Sequence, residues 1–304
     1  RINENPLGAG PIGGTSIMID RQSTGKMLGF NGIVENSIDA TTTRDFAIEY
    51  IAASAILMTN LSRISKDFSI WSTSEFSFLE LSDEFTSPSS VMPQKKNPDI
   101  LELTRGKTSQ IIGNLTSILS TIQVLPSGYS RDLQQVNPSL WDTSHTVISA
   151  LLIMESMLNT IIINKKNMQK AAEDGYLIAL DLAEKLVHHD ISFRKSHQII
   201  GILVKAAHKS RKSISALTKL EVKNVMKGEK VNLELLMKLI QSTTVMSSLN
   251  DRKSQGSSGI SEQKRMVIHR MKKIDIYQKE VKKRSNNIQN SLDSLNKKVK
   301  TLIK

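Results

Sequence analysis

The stretch Arg44–Trp71, RDFAIEYIAASAILMTNLSRISKDFSIW, contains neither proline nor glycine and repeats apolar residues by three and four at Ile48, Ile51, Ala55 and Met58. That spacing returns to one face of an α-helix on every turn, so it predicts a single long helix with one buried stripe. Two more such stretches follow. In 98–122 the stripe is Ile111, Leu115, Ile118 and Ile122; in 140–163 it is Val147, Leu151, Met154, Leu158 and Ile161. Each is about 24 to 28 residues, or roughly 35 to 40 Å at the α-helical rise. Helices of matched length bury their stripes against antiparallel neighbours, which predicts an elongated bundle.

On either side of this region the pattern changes. Residues 1–43 are rich in Gly, Asn, Thr and Ser and read as loop and short helix. Beyond Asn164 the helices shorten to about 8 to 15 residues, separated by Gly175, the His188–Ser192 turn, the Ser210–Ser215 stretch and Gly228. Thr218 and Glu221 have the spacing of a capping box. Ser254–Ser261, with Gly256 and Gly259, reads as a flexible turn before basic final helices. No strand pattern and no internal repeat stands out. The expectation is an all-α fold in two parts: a long central helical bundle over residues 1–164 and a smaller carboxyl-terminal helical domain over 165–304.

Composition narrows the function. The 304 residues are 39% hydrophobic and 23% charged, an ordinary globular balance, and contain no cysteine. Disulfides, thiolate metal sites and cysteine nucleophiles are therefore excluded, and a reducing, cytoplasmic setting is the default expectation. The most apolar run, Val147–Ile163, is interrupted by Glu155 and Asn159, so no membrane span and a soluble protein are expected. The chain opens Arg1-Ile2-Asn3, with no leader pattern and no initiator Met, which suggests that a preceding part is missing. The net charge of +12 is concentrated in the tail: residues 261–304 carry +9 and the rest only +3. With Tyr277 as the one aromatic there, a solvated basic face is favoured over a nucleic-acid surface.

The chemistry concentrates in Ser82–Asn97, SDEFTSPSSVMPQKKN, a hydroxyl-rich loop between two long helices. Ser89 and Ser90 offer hydroxyls and Lys95 and Lys96 offer positive charge. Asn97, read as the cap of the helix that starts at Pro98, would leave free N–H groups aimed at an anion. Carboxylate binding is the natural use; an ordinary interhelical loop with exposed lysines is the plain alternative. The run Ser89-Ser90-Val91-Met92-Pro93-Gln94-Lys95-Lys96-Asn97-Pro98 resembles the S-S-x-M-P-x-K-x-N-P signature of the fumarase/aspartase superfamily, and Gln94-Lys95-Lys96-Asn97 is similar to its argininosuccinate lyase branch. Asn5–Gly10, Arg44-Asp45-Phe46, Arg105-Gly106-Lys107, Tyr129–Gln134 and Arg252–Gly256 resemble the same branch.

The resemblance implies an all-α subunit, a homotetramer with active sites shared between subunits, and elimination of argininosuccinate to fumarate and arginine without metal or organic cofactor. It implies that Ser89 handles the Cβ proton, that Lys95 stabilises the carbanion and that Glu102 orients a catalytic histidine. Arg44, Asn97, Tyr129 and Gln134 become substrate-binding residues. Three departures accompany it. The histidine partner of Glu102 belongs to a Thr-His-Leu-Gln segment absent from these residues, and none of His145, His188, His189, His197, His208 or His269 stands in a matching motif. Pro88 replaces the glycine usual before the serine pair, and Asn137 stands where many members carry a lysine. The 304 residues alone are thus expected to be inactive. The rival readings are a related lyase acting on adenylosuccinate or aspartate, which Gln94-Lys95-Lys96 disfavours, and a non-catalytic paralogue.

Overall fold

The computed structural model describes residues 2–92, 94–174 and 176–303. Pro93 of the loop motif and Gly175, expected to separate two helices, lie outside the described residues. The α-helices are α1 (Arg21–Leu28), α2 (Ser37–Thr42), α3 (Asp45–Trp71), α4 (Asp99–Ile122), α5 (Val136–Thr160), α6 (Lys165–Asp174), α7 (Ala179–Val187), α8 (Phe193–Lys209), α9 (Lys219–Val225), α10 (Leu233–Ser242), α11 (Val245–Asp251) and α12 (Ile260–Leu302). Three pairs of two-residue strands accompany them. β1 (Glu4–Asn5) runs parallel to β2 (Gly32–Ile33). β3 (Leu79–Glu80) is antiparallel to β6 (Ile162–Ile163). β4 (Ser87–Pro88) is antiparallel to β5 (Lys96–Asn97). The sequence shows no sign of them because two residues cannot display a period of two. The fold is all-α.

The chain divides into two compact units, residues 1–163 with 278–304, and residues 164–277. This differs from the expected 165–304 domain, because the end of α12 groups with the first unit. There it approaches Gly29, the left-handed carboxyl cap of α1, so closely that a Cβ on Gly29 would stand 2.4 Å from Ser291 Oγ. The expected final helices are one helix of 43 residues.

In the first unit α3, α4 and α5 pack along their lengths in three layers. Ala47 and Ile51 at the start of α3 meet Ile118 at the end of α4 and Val136 at the start of α5. Ala55, Met58, Ile111, Val147 and Ala150 form the middle layer. At the far end Leu101 opens α4 beside Met154 and Met157 of α5, with Leu79, Leu81 and Phe85 from the connection. Hence α4 runs against the other two. Polar crossings sit between the layers: Thr108 Oγ1 donates to the Met58 carbonyl at 3.1 Å, and Asn114 Nδ2 donates to Asp142 at 2.7 Å. The stripes of α3 and α4 are placed as the spacing predicts. On α5 the buried face is Val147, Ala150, Met154 and Met157, while Leu151 and Leu158 are exposed. Between Val147 and Leu158 the helix is apolar nearly all round, so its periodicity there does not single out one face.

The second unit has its own core, in which α7 and α8 pack through Leu182, Leu186, Ile199 and Leu203 and are covered by Val222, Leu236 and Ile240. Its helix starts are written locally. Thr218 and Glu221 form the expected capping box of α9, and Asn232 caps α10 through its side chain. Glu221 also accepts a hydrogen bond from Lys212 Nζ at 2.8 Å; that ammonium first, and then the Thr218 amide and hydroxyl, lower its pKa from 4.5 to about 2. A depressed carboxylate pKa stabilises the fold fully above the ordinary 4.5, and the contribution disappears as pH falls from there towards 2. Glu221→Gln should therefore flatten the acid limb of unfolding in that window, as followed by circular dichroism at stepped pH. An unchanged acid limb would contradict the pairing.

Candidate active site

The hairpin β4–β5 turns the hydroxyl-rich loop back on itself just before α4. Its stem is closed by Asn97 Nδ2, which donates to the Ser87 carbonyl at 3.3 Å, and by the Ser89 amide, which donates to the Lys95 carbonyl at 3.2 Å. Asn97 is thereby committed to β5 and does not cap the helix, contrary to the sequence reading. Pro98 takes the cap position of α4 with no side-chain cap bond, and its carbonyl accepts the Leu101 and Glu102 amides. The strand pairing competes for Asn97 and wins.

At the tip, Ser89 Oγ accepts hydrogen bonds from the Val91 amide at 3.2 Å and the Met92 amide at 3.1 Å. Two N–H dipoles converging on one hydroxyl oxygen favour negative charge there, as in an oxyanion hole. The two lysines have different fates. Lys96 Nζ pairs with Asp83 at 2.6 Å and Glu80 at 3.1 Å, and these partners, Asp83 foremost, raise its pKa. Its charge is thus spent on the scaffold. Lys95 is exposed and has no ion-pair partner among the described residues.

Behind the hairpin lies an open cleft of about 700 Å³. Lys95, Asn97 and Glu102 line it, together with Lys66 and Ser69 from the end of α3, Thr73 just beyond it and Arg105 from α4. Arg105 donates to Ser69 Oγ at 2.8 Å, which fixes one wall. The sequence reading does not single out Lys66, which stands three residues before Ser69 and so shares its face at the end of α3. The cleft gathers four cations, Lys66, Lys95, Lys96 and Arg105, against two carboxylates, Glu75 and Glu102, and so suits an anion. No histidine lines it among the described residues.

Arg44, Tyr129 and Gln134 sit elsewhere. Arg44 precedes α3 and directs its guanidinium to the carbonyls of Thr41 at 3.2 Å and Thr43 at 2.8 Å. Burial pushes its pKa down, while nearby Tyr129 acts in the other direction. Gln134 Nε2 reaches Tyr129 Oη at 3.5 Å. Because α4 runs antiparallel to α3, this trio lies by the carboxyl end of α4, and the hairpin cleft by its amino end. The 24-residue α4 separates them by roughly 35 Å. One small molecule cannot touch both groups within a single chain.

A lyase family model matches residues 1–113, and an argininosuccinate lyase carboxyl-terminal model matches residues 176–250. The argininosuccinate lyase of Nitrosopumilus maritimus is 60% identical over 303 residues, covering 100% of this chain and 62% of that protein. That of Bacillus anthracis is 46% identical over 204 residues, 67% of this chain and 44% of the relative. This chain therefore spans less than two thirds of the curated relatives it matches. Among solved structures, EDDS lyase in complex with formate superposes with a TM-score of 0.89 at 26% identity, over 100% of this chain and 61% of that one. Class II fumarase from Schistosoma mansoni shares the fold, with a TM-score of 0.56 at 19% identity over 69% of this chain and 42% of that chain. Over its whole length the chain is similar to an argininosuccinate lyase, and it matches both a lyase model and an argininosuccinate lyase carboxyl-terminal model.

Proposed function

We propose that the protein is an argininosuccinate lyase, converting argininosuccinate to fumarate and L-arginine. In this reading Ser89 takes a proton from the succinyl Cβ, and the electron pair is held on the adjacent carboxylate as an aci-carboxylate. The Cα–N bond then breaks, and the guanidino nitrogen leaves with a proton from a general acid. The observation that carries the reading is the pair of amides on Ser89 Oγ. A serine is a poor base in water, and convergent donors stabilise its alkoxide in a closed site. Lys95 adds charge beside the forming carbanion, Asn97 braces the hairpin or holds a substrate carboxylate, and Glu102 orients a histidine. Arg44, Tyr129 and Gln134 bind substrate in a site completed by another chain, and their distance from Ser89 supports that role.

A homotetramer follows the same logic. Ile56 on α3 and Ile148 and Leu152 on α5 are 66%, 56% and 59% exposed, apolar faces that neighbouring subunits would cover. A cytoplasmic setting suits a chain without cysteine. No helix among the described residues is long and apolar enough to cross a membrane. The reading needs neither metal nor organic cofactor. The test is fumarate absorbance on adding argininosuccinate to the full-length protein. Steady fumarate release is expected, and adenylosuccinate or aspartate turning over in its place would overturn the substrate assignment.

A further inference from the structure

Among the described residues α12 has none that is buried, an unusual state for a helix of 43 residues. Its sequence nevertheless carries a strict seam. From Val267 to Leu302 steps of four and three alternate without a break, and every stop is apolar except Gln278 and Ser285. A period of 3.5 residues held over about five heptads is the signature of a helix that coils around another, not of one resting on a globular surface. The seam is open: Val281 is 65% exposed, Ile288 60% and Leu302 79%. α12 approaches Gly29 through Asn287 and Ser291, which are not seam residues, and of the seam only Leu295, one turn further on, is partly buried among the described residues.

We propose that α12 pairs with α12 of a second copy as a parallel, in-register two-stranded coiled coil. Charge decides the partner and the direction. In parallel register the flanking positions set Arg270 of one helix against Asp275 of the other, Tyr277 against Lys282 and Arg284 against Gln289, with no like-charge pair. A fully overlapped antiparallel pair would set Arg284 against Arg284 and Arg270 against Lys298. The two polar stops, Gln278 and Ser285, meet their own counterparts only when the helices are parallel and unshifted, which makes them register markers. The inference is independent of the catalytic assignment.

The absence of cysteine makes the test direct. In the whole chain, Ser285→Cys places one thiol in the seam and Asn290→Cys places one on the outer face; both positions are exposed. Under mild oxidation, Ser285→Cys should convert almost wholly to a covalent dimer on non-reducing gels, since counterpart seam positions lie within disulfide reach. Asn290→Cys should remain monomeric on the same gels. Adding Ile288→Asp to Ser285→Cys should abolish the dimer. Failure of Ser285→Cys to cross-link, as with an antiparallel pair or a foreign acidic helix in the seam, overturns the proposal. Equal cross-linking at Asn290→Cys overturns it as well.

Discussion

Ser89→Ala should lower fumarate formation by about 10²- to 10⁴-fold, the range that a positioned proton-transfer group contributes. The variant loses the atom on which the Val91 and Met92 amides converge. It keeps the hairpin stem, because the Ser89 amide bond to the Lys95 carbonyl and the Asn97 bond to the Ser87 carbonyl do not involve the hydroxyl. Fold and cleft should therefore survive, with the loss falling on kcat more than on KM. Ser90→Ala, which removes a neighbouring exposed hydroxyl, is the control and should change the rate little. Turnover by Ser89→Ala close to that of the parent would remove the assignment of this serine, and a matching loss in Ser90→Ala would point to loop damage.

Gly259→Ala should destabilise the second unit by about 3 kcal/mol, at the upper end of overpacking costs. A Cβ there would stand 1.8 Å from the Arg252 carbonyl oxygen and 2.9 Å from its carbon, so backbone has to move. That backbone is tied down. Arg252 extends its guanidinium to the buried Asp181 at 3.3 Å, and its carbonyl accepts the Ser257 hydroxyl at 3.0 Å. Freeing the turn would withdraw Arg252 and leave a buried carboxylate without its cation. Urea unfolding measures the effect. Gly201→Ala, in the middle of α8 with nothing within 4 Å of the added atom, should be neutral or slightly stabilising. If both variants unfold together with the parent, the turn does not pack as described.

What can be read from the sequence follows from how local each cause is. The bounds of α3 and α4 and the capping box at Thr218 depend on residues within a few positions of one another, and they lie where the spacing puts them. The branch of the superfamily is legible in Gln94-Lys95-Lys96-Asn97, and the 60% identical relative agrees. Asn97 misleads because its choice between capping α4 and pairing in β5 is settled by Ser87, ten residues away. The buried face of α5 misleads because Leu151 and Leu158 are as apolar as the Ala150 and Met157 that the bundle selects. The different fates of the two lysines are invisible too: both line the cleft, and only the fold brings Asp83 and Glu80 to Lys96 and not to Lys95.

The unfinished amino end of α4 has a thermodynamic corollary. With Asn97 engaged in the hairpin, no side chain closes that end, and Asn97 and Pro98 border the cleft. A dicarboxylate lodged there would act as the missing terminus of the helix, meeting its leading amides and its dipole at once. Product and polypeptide would then melt as a single cooperative object, the midpoint climbing with the logarithm of fumarate concentration.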